Sequence, residues 1–221
     1  MDKERLPRDV IAMRVAKELP AGAVVNLGIG IPTLVSNYLE GAQSVSYHSE
    51  SGVLNYGPLA EEREKDYDLI NAGGQFLSWV PGMAFFSSDE AFAMIRGGHV
   101  EVTVLGALQV SEKGDLANWM LPQRGVGNIG GAMDLAAGAK RVIVAMEHTD
   151  RRNRPKVVRE CTFPLTGRGC VSLVVTDLAV IEVTPEGMVL REVAPDWSAA
   201  EVQELTEARL QVAHDLKEYE L

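Results

Sequence analysis

The chain is poor in three things, and each shortage removes a class of function. It has only two cysteines in 221 residues, Cys161 and Cys170, with no CxxC spacing and no histidine beside them. That gives no support for a zinc site or any other metal centre. The pair reads as reduced, packed thiols, with a disulfide between them as the alternative. No run approaches the ~18 apolar residues that a membrane span needs. The start, Met-Asp-Lys-Glu-Arg, is charged and holds no apolar signal core, so a cytoplasmic location and no membrane partner are expected. Basic residues are outnumbered, with 21 Lys and Arg against 31 Asp and Glu for a net charge of −10. Nucleic-acid binding needs a basic surface, so no nucleic-acid partner is expected.

What is present is ordinary for a globular protein: 46% hydrophobic and 24% charged residues. A chain of this length buries roughly 70% of the surface it would expose unfolded. No repeat, low-complexity tract or Ser/Gly linker divides it, so a single domain over 1–221 is expected. Residues 8–19 set Ile11, Val15 and Leu19 at spacing four, a helix that Pro20 and Gly22 end. Strand-like runs follow at 23–27, 45–47, 76–80, 100–105, 141–146, 171–176 and 179–183. Helical patterns fall at 33–39, 88–96, 132–138 and 198–213, and Glu201–Leu221 alternates acid with aliphatic residues as a C-terminal helix would. Strands alternating with helices, several strands apolar on both faces, predict an α/β fold: an open, mostly parallel sheet sandwiched by helices.

Glu50 is the strongest candidate for chemistry. It lies in His48-Ser49-Glu50-Ser51-Gly52, a glycine-bearing turn directly after a short strand. A carboxylate there is poorly placed for packing and well placed to meet a ligand. The loop Asn26-Leu27-Gly28-Ile29-Gly30-Ile31-Pro32 lies between a strand and a helix, where its glycines would let a ligand approach the backbone. A tight strand-to-helix turn is the other reading. Gly130-Gly131-Ala132-Met133-Asp134 offers unobstructed N–H groups suited to an oxyanion, or a glycine hinge with Asp134 serving the helix that follows. Gly125–Gly130 is a literal GxGxxG, but a dinucleotide fingerprint opens directly from a strand. Here Trp119 and Pro122 precede it, a poor central strand. An NAD-dependent oxidoreductase is therefore the lesser reading. His99 and His148 have no nucleophile at a defined spacing and read as structural. Ser49 and Ser51 form no GxSxG elbow, and Met94, Met120, Met133 and Met146 read singly as core filler.

From about residue 8 to 205 the chain resembles the B subunits of succinyl-CoA:3-oxoacid CoA-transferases, in the acetate/3-oxoacid CoA-transferase family. The Glu50 turn is similar to the family's Ser-Glu-Asn-Gly signature. Further matching stretches are NLGIGIPTLVSN at 26–37, INAGG at 70–74, PGMAFFSSDEAFAMIRGGHV at 81–100, LGALQVSEKGDLANWMLP at 105–122, GGAMDLAAGAKRVIVAMEHT at 130–149 and CTFPLTGRGCV at 161–171. The B subunits of 3-oxoadipate CoA-transferases are similar as well. The resemblance implies the open α/β fold shared with certain sugar-phosphate isomerases, and an A subunit as partner in a heteromer. It implies ping-pong transfer of CoA from an acyl-CoA such as succinyl-CoA to a 3-oxoacid such as acetoacetate. Glu50 would pass through a glutamyl-CoA thioester, with coenzyme A as substrate and no tightly bound cofactor. By the same resemblance Gly131 would hold the oxyanion, with Asn26, Met133 and Asn118 around the reacting carbonyl and Gly28, Gly30 and Ser51 lining the substrate. Three positions depart from the family pattern: Ser51 replaces Asn, Asn55 replaces a small residue, and Asn128-Ile129 replaces Gly-Met. A chain that merely scaffolds its partner remains the non-catalytic alternative.

Overall fold

The computed structural model describes residues 3–38 and 45–220. In chain order the helices are α1 (Arg8–Ala16), α2 (Ile31–Leu34), α3 (Ser88–Arg96), α4 (Ala132–Gly138) and α5 (Ala199–Glu204). The strands are β1 (Val24–Leu27), β2 (Ser46–Ser49), β3 (Val53–Leu54), β4 (Ala84–Phe85), β5 (Val102–Leu105), β6 (Gln109–Ser111), β7 (Leu116–Ala117), β8 (Arg141–Ala145), β9 (Val157–Val158), β10 (Val171–Val175), β11 (Ala179–Thr184), β12 (Gly187–Val193) and β13 (Leu210–Glu218). Ten strands form one sheet in the order β13-β12-β11-β10-β8-β5-β1-β2-β3-β4. Its centre, from β10 to β2, is parallel throughout. The margins turn antiparallel, except that β13 adds to β12 in parallel. β7, β6 and β9 make a separate small sheet.

The central strands divide two cores by simple alternation. In β8, Val142 and Val144 face one core with Ile95 of α3 and Leu135 of α4. Ile143 and Ala145 face the other, with Ile11 and Val15 of α1. Val25 and Leu27 of β1 join the α1 core, which turns Asn26 to the α3–α4 side. These strands read as continuous apolar runs because both faces are covered.

Most expected elements are present, with end shifts. α3 and α4 have the expected bounds, and α3 starts at a capping box in which Ser87 and Glu90 satisfy each other's end of the first turn. The helix expected at 33–39 starts at Ile31, tightens into a 3₁₀ turn at Val35–Asn37, and its last residue, Leu39, lies outside the described residues. Two expectations are corrected. The C-terminal helix is only α5; after it the chain extends as β13, on the free edge of β12. The side chain of Gln203 stops the helix by bonding the carbonyls of Thr206 and Ala208 and the N–H of Leu210. The run at 76–80 is no sheet strand; Phe76 and Leu77 make single bridges to Ile70 and Leu59.

One buried ion pair ties the two ends of this architecture together. Arg14 of α1 donates from Nε and one terminal nitrogen to the two carboxylate oxygens of Glu192 in β12, at 2.8 and 2.9 Å, and also to Glu18 at 2.9 Å. Arg14 is 8% exposed and Glu192 2%, so neither charge has water to fall back on. Arg14→Leu leaves the buried Glu192 carboxylate with only Lys217 Nζ, 3.8 Å away, and should cost about 3–5 kcal/mol of stability. Arg14→Leu combined with Glu192→Leu should regain much of that loss. Denaturant unfolding of the two variants checks the ordering, and equal losses would remove the pair from this role.

Candidate active site

A parallel sheet sends the loops that leave its strands to one edge, and ligands collect at the carboxyl ends of such strands. Here three loops meet there: Gly28–Gly30 after β1, Glu50–Gly52 after β2, and Gly106 after β5. Glu50 opens a three-residue hairpin between the paired residues Ser49 and Val53. Gly52 ends the hairpin at φ 101°, and a Cβ there would lie 2.1 Å from the Phe86 carbonyl oxygen. Phe86 N in turn donates to Gly52 O at 3.0 Å. Only glycine suits that corner, and the corner is what lifts Glu50 off the sheet.

The half-buried Glu50 carboxylate is held from one side. Asn26 Nδ2 donates to its Oε2 at 3.0 Å, while Ser88 Oγ at the start of α3 donates to the Glu50 backbone carbonyl at 2.9 Å. Oε1 points at Gly131, where a Cβ would stand 3.4 Å from it and 3.2 Å from the Phe92 ring edge. Gly131 has φ −71° and ψ −1°, angles open to any residue. Backbone conformation does not require glycine there; a Cβ would narrow the space between Phe92 and Glu50 Oε1. A carboxylate with one oxygen fixed and the other facing an open backbone is arranged to attack an electrophile through Oε1.

Ser51 serves the loop and not the carboxylate. Its hydroxyl pairs with Ser49 Oγ at 2.8 Å and donates to Ile70 O at 3.3 Å, while Ala72 N donates to Ser49 Oγ at 3.1 Å. The two serines thus clamp segment 70–74 beside the hairpin. Asn55 takes a left-handed φ of 57° and reaches Pro81 O at 3.3 Å; asparagine tolerates that region better than most residues.

The remaining candidates are distributed around this centre. Gly28 lies where β1 and β5 nearly touch: its N–H donates to Val104 O at 2.8 Å, and a Cβ would meet that oxygen at 3.1 Å. Gly30 is exposed, with φ 96°, at the start of α2. Asn118 does not contact Glu50; its Nδ2 donates to Gly106 O at 3.1 Å and its Oδ1 accepts from Thr166 at 2.7 Å. It shapes the β5 loop from behind. Met133 is half-buried on the first turn of α4, and Asp134 beside it accepts from Arg96 of α3 at 2.7 Å. Asn128-Ile129 lies in an exposed loop before α4, and nothing in the structure explains its departure from the family pattern.

Other motifs resolve as structure. A Cβ at Gly127 would lie 2.4 Å from the Trp119 ring, so the GxGxxG glycine makes room for the chain's own indole. That segment follows a 3₁₀ turn at Pro122–Arg124, not a strand. His148 is fully buried between Thr176 and Thr206, at 2.9 and 2.8 Å, and burial pushes its pKa down to about 3. Cys161 and Cys170 are free, half-buried thiols pushed up to about 11 by burial. Among the described residues no group of three His, Cys, Asp or Glu could hold a metal ion, and no helix is long and apolar enough to cross a membrane. Sequence reasoning passed over Phe92, which walls the site beside Gly131, and His48, which lies beneath it. Both look like ordinary core residues until the sheet register is known.

The model of the family described as coenzyme A transferase matches residues 8–205. The chain belongs to that family. It is 52% identical to the B subunit of the 3-oxoadipate CoA-transferase of Pseudomonas putida, over 92% of this chain and 95% of that one. It is 49% identical to the B subunit of the succinyl-CoA:3-ketoacid coenzyme A transferase of Helicobacter pylori, over 93% and 99%. Among solved structures, an acyl-CoA transferase of Escherichia coli O157:H7, in a thioester complex with CoA, superposes with a TM-score of 0.76 at 20% identity. This chain is covered completely and spans 44% of that one. A decarboxylase, AibA/AibB, superposes with a TM-score of 0.71 at 21% identity, covering 99% of this chain and 90% of that one. At such identities the likeness speaks for the fold alone, an open and mostly parallel α/β sheet.

The geometry at Gly131 generates a direct test. Gly131→Ala fits the backbone but crowds Oε1 of Glu50 and the Phe92 ring, so CoA-transfer activity should fall by about 10–100-fold. The melting temperature should stay close to that of the wild type. Unchanged kcat/KM would show that the open space above Gly131 is not used.

Proposed function

We propose that this chain is the B subunit of a heteromeric CoA-transferase that moves CoA between succinyl-CoA and a 3-oxoacid such as acetoacetate, with Glu50 as the nucleophile. The observation that carries this reading is the Glu50 carboxylate itself, fixed through Oε2 by Asn26 with Oε1 directed at Gly131. Glu50 attacks the thioester carbonyl, the C–S bond breaks, and a mixed anhydride and CoA thiolate result. The thiolate then attacks the Glu50 acyl carbon, giving the glutamyl-CoA thioester and releasing the first acid. A second carboxylate takes CoA by the same steps reversed. The Gly131 amide is the donor assigned to the oxyanion, and such preorganised donors supply much of acyl-transfer catalysis. Binding of the remote parts of CoA contributes to the same barrier.

A 3-oxoadipate acceptor is the second reading, favoured by the 52% identical Pseudomonas relative. An A subunit is part of both, because the named bacterial relatives are B subunits. Exposed apolar side chains beside the site support a covered face: Ile29 is 69% exposed, Ile129 70%, Trp79 59% and Phe85 56%. Trp79 and Phe85 stack edge to face at 5.5 Å, and exposed apolar surface of this kind suits an interaction site. A cytoplasmic location belongs to the same reading, and the two free thiols suit it.

Adding succinyl-CoA or acetoacetyl-CoA to the assembled complex without an acceptor should leave a CoA-sized adduct on the Glu50 peptide, detected by mass spectrometry. Glu50→Ala should lose the adduct and all transfer while keeping partner binding, and Glu50→Asp should be severely impaired by one methylene of misplacement. A silent Glu50→Ala would favour the scaffold alternative and remove Glu50 from the chemistry. Comparing kcat/KM for acetoacetate and 3-oxoadipate separates the two substrate readings.

A further inference from the structure

Four buried side-chain atoms lack a hydrogen-bond partner among the described residues: Asn26 Oδ1, Tyr47 OH, His48 Nε2 and Thr103 Oγ1. Three of them belong to one row. Asn26 on β1 is in register with His48 on β2 and with Thr103 on β5. Side chains in register share a face of the sheet, and these three are 1%, 0% and 0% exposed. Val142 of β8 continues the row and belongs to the α3–α4 core. Tyr47 faces the opposite core. A polar row at the centre of a largely aliphatic sheet is costly, since a buried group without a partner gives up its hydration with nothing in return.

The row surrounds one amide. Asn26 Nδ2 has two hydrogens and three acceptors: Glu50 Oε2 at 3.0 Å, His48 O at 3.1 Å and His48 Nδ1 at 3.2 Å. One hydrogen serves the carboxylate and the other the two His48 acceptors. Turning the amide over would set Oδ1 against a carboxylate, a carbonyl and a ring nitrogen, so the orientation is fixed. His48 Nδ1 accepts only if the ring proton is on Nε2 and the imidazole is neutral. Burial pushes the His48 pKa down, against the pull of Glu50 and of the Ala91 backbone, and so favours that form. At the other end of the amide, Oδ1 is without a donor, and the Thr103 hydroxyl on the adjacent strand is likewise buried without a partner, so no bond links the two.

We infer that His48 is a positioning residue for the reaction, acting through Asn26 to hold its amide in the orientation that donates to Glu50 Oε2. The inference rests on Glu50 as the nucleophile. His48 supplies acceptors for the Asn26 hydrogen that Glu50 does not use, and it does not touch the reacting atoms.

The test measures single-turnover formation of the Glu50–CoA adduct in the assembled complex, together with steady-state kcat, KM and thermal unfolding. His48→Leu should slow adduct formation about tenfold or more, with KM little changed. His48→Gln, whose amide oxygen can accept, should regain most of the rate. In an Asn26→Ala background His48→Leu should not slow the reaction further, because residues acting through one group are not additive. Wild-type rates in folded His48→Leu would overturn the inference. So would an undiminished loss in the Asn26→Ala background, which would mean packing and not positioning. Absence of the adduct from the wild-type enzyme would instead overturn the nucleophile reading and the inference with it.

Discussion

The hydrogen bond from Asn26 to Glu50 joins residues 24 positions apart, and it exists only because β1 and β2 are parallel in one particular register. Side chains alternate along a strand, so a slip of one residue would move Asn26 to the α1 face and bring Val25 or Leu27 to the site. What prevents the slip is packing on the opposite face. Val25 and Leu27 are buried with Ile11, Val15 and Val104, and burying aliphatic side chains contributes roughly 1.5–3 kcal/mol each. The α1 core therefore fixes the direction of the amide that holds the carboxylate on the α3–α4 side. The Arg14–Glu192 pair, which fastens α1 across the sheet, belongs to the same chain of dependence although it lies far from Glu50 in the sequence.

Two glycines at the site meet different constraints. At Gly52 both the backbone angle and the Phe86 carbonyl exclude a side chain, and the hairpin that presents Glu50 depends on that exclusion. At Gly131 the angles are ordinary, and a side chain would only press on the Phe92 ring and touch Glu50 Oε1. The first glycine builds the loop and the second keeps the loop's product accessible. Their substitution should consequently fail in different ways, one through the fold of the hairpin and one through the volume left for a reacting carbonyl.

Much of this was legible in the residues. The central strands announce themselves as apolar runs, α3 by the helical pattern at 88–96, and Glu50 by a carboxylate in a glycine turn after a strand. The C-terminal segment was not, because acid alternating with aliphatic residues over 201–221 fits a helix and an edge strand equally well. The side-chain bonds of Gln203 and the free edge of β12 decide it, and both are tertiary facts. The run at 76–80 misleads for the opposite reason. It has strand composition but meets its neighbours only in single bridges, Phe76 with Ile70 and Leu77 with Leu59, and composition alone does not make a ladder. His48 was invisible because a polar residue in a strand carries no sign of its partners until the neighbouring strand is placed beside it.

A decarboxylase shares this fold, so the sheet does not by itself select CoA transfer. What the sheet supplies is a carboxyl edge where loops from β1, β2 and β5 converge, together with a rigid platform beneath them. In the function proposed for this chain, the reaction is selected by what stands at the first hairpin position after β2 and by how firmly it is held. In this chain that residue is a glutamate with one oxygen tied to Asn26, and the amide tying it is itself boxed by its strand neighbours. A buried polar row is hard to justify as packing, since apolar residues of the same size would fill the space without the desolvation cost. It is readily justified if the reaction needs a carboxylate oxygen held in place, because a flexible glutamate would spend most of its time out of reach of the carbonyl it must attack.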